Sequence, residues 1–191
     1  MTLAFNNIGS LGRLGNQMFE YAALRGIAAR HSYDWCIPPP DQKGIENYSL
    51  HDCFKLSPDR KEGIMDPCQY VQEPHFHYSH DIFENCPDNV SLHGFFQSWR
   101  YFHNVRDQIR EDYTFHKGIL DPCKEMMEEL EGQEPIMLHV RRGDPNLTDP
   151  RGFKWSYTQC GSMHPVQPIE YYEKALSKFD KNQPVIVFSD S

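Results

Sequence analysis

Two adjacent arginines, Arg141 and Arg142, are the residues of this sequence whose type and position most clearly indicate chemistry. They follow Ile136–Val140, a short and mostly apolar run that is typical of a buried strand. Such a strand delivers the residues after it to the carboxyl edge of a parallel sheet, where ligands of α/β proteins bind. Guanidinium groups stay ionised and grip phosphate with two hydrogen bonds, and Gly143 lets the backbone turn or approach a ligand closely. The pattern therefore predicts a phosphate or diphosphate site at a strand end.

A glycine-rich turn near the amino terminus is a second candidate anion site. Thr2–Ile8 is interpreted as a first strand, and Gly9, Gly12 and Gly15 interrupt it before a helix that should begin near Asn16, a good N-cap residue. A strand, a glycine turn and a helix N-terminus present free amide N–H groups and the helix dipole to an anion. The spacing matches neither the dinucleotide-binding fingerprint nor a P-loop. A tight turn that only allows close helix–strand packing remains the alternative.

The strand before Arg141 is expected to form a βαβ unit with the last strand of the sequence. Pro168 begins a helical pattern, and Val185–Phe188 is a second apolar run, which ends in Ser189 and Asp190. A right-handed crossover between parallel strands would place both polar strand ends at one edge of the sheet. The alternative is a structural ion pair between the arginines and an acidic residue that follows a strand, Asp144 or Asp190.

The other segments predict further strands and helices. Residues 90–96 are interpreted as a strand, and the apolar residues of 99–109 recur at helical spacing, so that their aromatic side chains are expected in the core. Asp121 and Pro122 are expected to open another helix, which stops at Gly132. The polar segment 145–167 is long and punctuated by proline and glycine, which favours a lid or binding loop.

Composition excludes several classes of function. The net charge of −8 and the pI near 5.6 argue against a general binder of nucleic acid or anionic membranes. Neither a signal-peptide core nor an apolar run of about 18 residues is present, so the chain is expected to be cytoplasmic, with no membrane span. Six cysteines without a C-x-x-C pair are expected to be reduced thiols. His75 and His77 would share one face of a strand, but strand-edge histidines are favoured over a metal site, which needs three or four ligands.

Several motifs occur together in one order. They are Gly12–Ala22 (Gly-Arg-Leu-Gly-Asn-Gln-Met-Phe-Glu-Tyr-Ala), Gly94–Ser98, His139–Asp144 (His-Val-Arg-Arg-Gly-Asp), Pro168–Ala175 and Phe188–Asp190. This set resembles the α-1,2-fucosyltransferases of glycosyltransferase family 11, and the resemblance covers nearly the whole chain.

The resemblance implies an α/β, GT-B-like architecture with two Rossmann-type domains, the second incomplete. Residues 1–132 would form an N-terminal acceptor-side domain, and residues 133–191 would begin the C-terminal donor-binding domain. The implied activity is transfer of L-fucose from GDP-β-L-fucose to the 2-hydroxyl of a galactose-type sugar, with inversion and without a metal or other cofactor. The implied partners are GDP-fucose and a galactoside glycan acceptor.

The resemblance also implies roles for individual residues. Arg141 would bind the diphosphate and stabilise the charge that develops on the leaving GDP, with Asp144 as the second catalytic candidate. The implied donor-binding residues are Arg13, Gly15, Asn16, His139, Arg141, Arg142, Gly143, Ser189 and Asp190. The general base stays open among carboxylate and imidazole candidates, Asp144, Glu20 and His164, and a mechanism without a dedicated base is the alternative.

The sequence also departs from the family pattern. Pro145 stands where the family usually has tyrosine, Glu20 stands where it often has glutamine, and the family continues beyond the point where this chain stops. A C-terminally truncated chain is therefore expected. The rival interpretations are a transferase for another GDP-sugar and an inactive glycan- or nucleotide-binding remnant. Residues 142–144 as an adhesion tripeptide are disfavoured, because a strand-end site would hide them.

Overall fold

The computed structural model describes residues 1–43, 45, 48–141, 143–148, 154–156 and 167–189, with the backbone alone for 143–148 and 154–156. The fold is mixed α/β with parallel sheets, which confirms the predicted class. The chain divides into two compact units, Met1–Pro122 and Cys123–Ser191. The predicted assignment of an acceptor-side domain (1–132) and a donor-side domain (133–191) remains a prediction.

The first unit is built on a five-stranded sheet in which every pair of neighbouring strands is parallel. Its strands are β1 (Thr2–Ala4), β2 (Asp34–Ile37), β3 (Lys61–Glu62), β4 (Gln69–Gln72) and β5 (Val90–His93), in the order β3-β2-β1-β5-β4. Because β4 and β1 flank β5, the loops that follow these three strands leave the sheet side by side at its carboxyl edge.

Helices connect or follow these strands along the chain. They are α1 (Leu14–His31), α2 (Leu50–Cys53), α3 (His80–Asn85), α4 (Arg106–Asp112) and α5 (Lys117–Glu128), with two 3₁₀ turns at Trp99–Tyr101 and His103–Val105. The boundary between the two units falls inside α5. None of the helices in the described ranges combines the length and apolar character that crossing a membrane requires.

Helix α1 is the centre of the first core and packs against the 3₁₀ turns through a glycine. A Cβ atom at Gly26 would lie only 2.0 Å from the backbone oxygen of Tyr101, so only glycine allows this approach. Tyr21 is fully buried on the same helix, and its hydroxyl donates a hydrogen bond to Asp112, 2.9 Å away. Arg25 forms an ion pair with the same carboxylate, so the end of α4 is tied to α1.

The second unit contains β6 (Ile136–Val140), β7 (Gly143–Thr148), β8 (Lys154–Ser156), α6 (Ile169–Leu176) and β9 (Val185–Ser189). Strands β6 and β9 pair in parallel with α6 between them in sequence, which confirms the predicted βαβ connection; its handedness stays a prediction. Strands β7 and β8 pair in antiparallel fashion. Part of the segment 145–167 is therefore strand, and its role as a lid or binding loop stays a prediction.

Three predicted helix boundaries are wrong. Helix α1 begins at Leu14 with Arg13 as N-cap, because the side chain of Asn16 bonds to Gln97 instead of capping the helix. Helix α5 begins at Lys117 and contains Pro122, which forgoes a single backbone hydrogen bond in its second turn. The helix predicted from residue 99 is broken into the two 3₁₀ turns and α4, and Trp99 is 66% exposed rather than in the core.

Candidate functional site

The glycine turn after β1 ends at α1 in a geometry that depends on its glycines. Gly12 has a φ of +86°, and a Cβ atom there would overlap the Asn16 side chain, 1.9 Å from its Nδ2 atom. The Asn16 Oδ1 atom accepts a hydrogen bond of 2.7 Å from Gln97 Nε2. Arg13 and Gly15 are both exposed, and a Cβ atom at Gly15 would meet no atom of the described residues within 4 Å. The predicted donor-binding residues of this turn thus lie together around an open helix N-terminus.

The loop that carries Gln97 is fixed by a carboxylate from the neighbouring strand end. Glu73 follows β4, and its Oε2 atom accepts hydrogen bonds from the backbone N–H groups of Phe95 and Phe96, at 2.8 and 2.9 Å. Gly94 makes this approach possible, because a Cβ atom there would lie 2.4 Å from the Glu73 Cβ atom. The side chain of Phe96 is fully buried, so the turn is anchored from both sides.

Asn6 ties the first part of the glycine turn to the same edge. Its backbone N–H donates to the Ser91 Oγ atom at 2.9 Å, and its side chain exchanges two hydrogen bonds, of 2.8 and 3.0 Å, with the Met65 backbone. The side-chain Nδ2 atom of the next residue, Asn7, lies 2.9 Å from the Nδ1 atom of His93. Polar side chains from β1 and β5 therefore hold the loops at this edge in one arrangement.

Glu20 lies beneath this edge and is unsuited to act as a general base. Its side chain is fully buried, and burial raises its pKa from 4.5 to about 9; the nearby charge of Glu73 adds to the increase, while the Gly9 backbone N–H opposes it. Within the described residues, neither Glu20 carboxyl oxygen has a partner at hydrogen-bonding geometry. A protonated, inaccessible carboxyl cannot take a proton from a substrate hydroxyl, which excludes this candidate.

The second unit brings two predicted strand ends together. In the β6–β9 register, His139 pairs with Phe188 and Val140 with Ser189, so Arg141 leaves β6 at the edge where β9 ends. The side chains of the three predicted site residues described at this edge are exposed: His139, Arg141 and Ser189. The described part of this edge therefore carries the exposed guanidinium of Arg141, and its role as an anion site stays a prediction.

Other predicted site residues in this region cannot be placed at the level of side chains. Arg142, Asp190 and His164 lie outside the described residues, and for Gly143 and Asp144 the backbone of β7 alone is described. His75 and His77 lie in an exposed bend rather than a strand, with their ring centroids 5.7 Å apart. In the described parts of the chain, no group of three or more metal-ligating side chains comes together.

Sequence reasoning missed the residues that fix the first edge. Gln97 belonged to a motif that was noticed, but its bond to Asn16 spans 81 positions and depends on the packing of two loops. Glu73 carried no signal, because its role follows from the pairing of β4 with β5. Asn6 likewise acts through contacts with distant residues.

Comparison with known proteins shows which family the sequence matches. The model of glycosyl transferase family 11 matches residues 3–191. Galactoside α-(1,2)-fucosyltransferase 2 of Mus musculus is 27% identical over 195 residues, and its counterpart in Bos taurus is 29% identical over 198 residues. Each alignment covers 96% of this chain and 52% of the relative, so the chain spans about half the length of these curated relatives.

Two solved structures have a similar fold. The crystal structure of the fucosyltransferase NodZ from Bradyrhizobium superposes with a TM-score of 0.53 at 16% identity, covering all of this chain and 72% of that one. The α-1,6-fucosyltransferase NodZ co-crystallised with GDP gives a TM-score of 0.54 at 15% identity, covering all of this chain and 71% of that one. The match of the family model over almost all of the sequence, together with these relatives, shows that the chain belongs to glycosyltransferase family 11.

Proposed function

We propose that this chain carries the machinery of an inverting glycosyltransferase that moves L-fucose from GDP-β-L-fucose to the 2-hydroxyl of a galactose-type acceptor. The observation that carries the proposal is the β6–β9 register, which puts Arg141 and Ser189 at one carboxyl edge in a chain of this family. The curated relatives are named for galactoside α-(1,2) transfer, and the similarly folded NodZ was crystallised with GDP.

The chemistry follows from the charge that must be stabilised. When the bond between fucose and the β-phosphate breaks, negative charge collects on GDP while the sugar becomes a cation-like species. A guanidinium fixed near that phosphate, here Arg141, stabilises the transition state more than the ground state, because the charge it faces grows during the reaction. In this proposal no metal or other cofactor is required, since the arginine supplies the positive charge.

By the same family resemblance, the glycine turn of the first unit is itself proposed to bind donor. The exposed Arg13 and the open space above Gly15 would let an anionic group approach the N-terminus of α1. Asn16 would be oriented for the ligand by its bond to Gln97. The remaining candidates for the group that accepts the proton of the acceptor hydroxyl are Asp144 and His164. The alternative is a mechanism without a dedicated base.

A product analysis with a donor panel tests this proposal. The protein is incubated with GDP-fucose or GDP-mannose and a β-galactoside, in EDTA, and the product is analysed by NMR for linkage and anomeric configuration. We expect α-1,2-linked fucose from GDP-fucose alone. Transfer from GDP-mannose would favour the alternative of another GDP-sugar, since guanidinium–phosphate contacts do not select the sugar. Nucleotide binding without any turnover would contradict an enzymatic function for this chain.

A further inference from the structure

An exposed aromatic pair stands at the carboxyl edge of the first sheet. Phe76 lies in the loop after β4 and Phe95 in the loop after β5; their rings are stacked with centroids 5.9 Å apart and planes inclined by 23°. Phe76 is 69% exposed and Phe95 is half-buried. Neither ring is needed to fill the core, whose members are the buried residues beneath it. An exposed ring stacked on a half-buried one, at the edge of a parallel sheet where ligands of α/β proteins bind, is a candidate contact surface.

The pair is held in a fixed geometry. Both backbone N–H bonds of the Phe95–Phe96 turn go to Glu73, and the buried ring of Phe96 packs edge-on against Phe5 at a centroid distance of 5.8 Å. Phe76 follows Glu73 by three residues, so the same carboxylate lies at the root of both aromatic loops. A surface fixed before the ligand arrives costs little conformational entropy on binding.

The pair is also continuous with the candidate site. Gln97 follows Phe95 by two residues and bonds to Asn16 at the N-terminus of α1. A ligand that lies on the two rings would therefore extend toward the turn proposed to contact the donor. The surroundings are polar, since His75 and His77 flank Phe76 in sequence with exposed imidazoles that can take part in hydrogen bonds.

These features fit a sugar better than a protein partner. Two phenyl rings offer far less area than the roughly 1,000 Å² that a specific protein interface needs. A pyranose ring has a C–H face of about the size of one phenyl ring and hydroxyls at its rim, which match an apolar platform beside imidazoles. We propose that the stacked Phe76–Phe95 pair is the platform on which the galactose-type sugar of the acceptor glycan is bound. This rests on the proposed function for the identity of the sugar.

Direct binding of a galactoside tests the platform. The chain, with its phenylalanines labelled with ¹³C, is titrated with methyl β-galactoside, and the ring signals of Phe76 and Phe95 are followed by NMR. We expect both signals to shift on binding. Phe76→Ala and Phe95→Ala should weaken galactoside affinity about tenfold, Phe76→Tyr should keep it, and Phe179→Ala should leave it unchanged. Phe179 is the matched control because it is 50% exposed but lies between α6 and β9 in the second unit.

The remaining outcomes separate the platform from the proposed function. Thermal unfolding of each variant identifies any that fails to fold, and Phe76→Ala, whose side chain is mostly exposed, keeps the test available if Phe95→Ala is unstable. Galactoside binding that is unaffected by either substitution would overturn the platform and leave the proposed function standing. Absence of galactoside binding while GDP binds would overturn the platform together with the galactose-type acceptor. Galactoside binding at the two rings without GDP binding would support the platform and contradict the proposed function. If the wild type self-associates and Phe76→Ala abolishes that association, the pair is a protein contact and the sugar platform is overturned.

Discussion

The two units differ in what positions the residues at the carboxyl edge of their sheets. In the first unit, side chains from distant parts of the chain fix the loops. In the second unit, Arg141 directly follows a strand that has no buried residue. Glu73 and Gln97 are examples of the first arrangement, since they bond to residues 22 and 81 positions away, respectively. By contrast, every residue of β6 is partly or fully exposed, and α6 buries none. The comparison indicates that one edge is set by tertiary contacts and the other by strand register.

The largest expected effect concerns the second edge. Arg141→Ala should lower the rate of fucosyl transfer about a hundredfold or more, because it removes the guanidinium that is proposed to face the charge on the leaving phosphate. Arg141→Lys should be intermediate, since an ammonium keeps the charge but loses the bidentate geometry. Initial rates under saturating acceptor measure this. Lys181→Ala is the control, because Lys181 is an exposed cation ahead of β9, at the opposite end of the strand. Wild-type rates in Arg141→Ala would remove the second edge from the mechanism.

The next prediction concerns the tertiary contacts of the first edge. Gly94→Ala should lower the free energy of unfolding by about 3 kcal/mol, because its φ of +145° disfavours a side chain and the new methyl group would overlap Glu73. Gly132→Ala is the matched control: its φ of +76° is also strained, but a Cβ atom there meets no atom within 4 Å. In the control, the free energy of unfolding should fall by only about 1 kcal/mol. Equal losses in urea titrations of the two variants would show that the Glu73 contact does not fix the loop.

Buried Glu20 makes the first unit sensitive to pH. Its folded-state pKa of about 9 exceeds the unfolded value near 4.5, so the folded state keeps a proton that the unfolded state releases. The contribution of Glu20 to the free energy of unfolding is therefore complete below about pH 4.5. It falls by about 1 kcal/mol per pH unit as the pH rises from 4.5 through 9.

Glu20→Gln should remove this dependence, since the amide stays neutral. Relative to wild type, the variant should be more stable at pH 8 by a few kcal/mol and little changed at pH 5. Thermal unfolding across that range measures the difference. Glu170→Gln, at an exposed position of α6, is the control and should give parallel curves. Parallel stability curves for wild type and Glu20→Gln between pH 5 and pH 8 would contradict a neutral Glu20.

The smallest expected effect separates stability from binding. Gly15 and Gly118 are each the second residue of a helix, and at either position a Cβ atom would meet no atom within 4 Å in the part of the chain that the structure describes. Alanine should therefore leave both variants as stable as wild type or better, by up to about 1 kcal/mol. Gly15→Ala alone should weaken GDP-fucose binding, about tenfold, because its methyl group occupies the space into which the ligand is proposed to approach. Equal affinities of the two variants would mean that the donor does not approach α1.

The sequence predicted the second edge better than the first. Ile136–Val140 and Val185–Phe188 are apolar runs with polar residues directly behind them, so strand type and parallel direction could be predicted from local patterns. The prediction that Ile136–Val140 is buried is wrong, because every residue of β6 is at least partly exposed. The glycine turn was also visible, but not the start of α1, because Asn16 has a partner in a distant loop. Glu73 had no local signal at all, and its function appears only when β4 and β5 are paired. Likewise, the amphipathic spacing after Trp99 did not reveal that the segment breaks into 3₁₀ turns.

Calorimetric titration of GDP-fucose into the protein in EDTA, with GDP-mannose as the comparison, tests the central claim most directly. The account predicts metal-free binding that prefers GDP-fucose and is lost in Arg141→Ala, while Lys181→Ala binds like the wild type. Failure of the wild type to bind any guanine nucleotide, or equal binding by wild type and Arg141→Ala, would contradict a donor site at the end of β6.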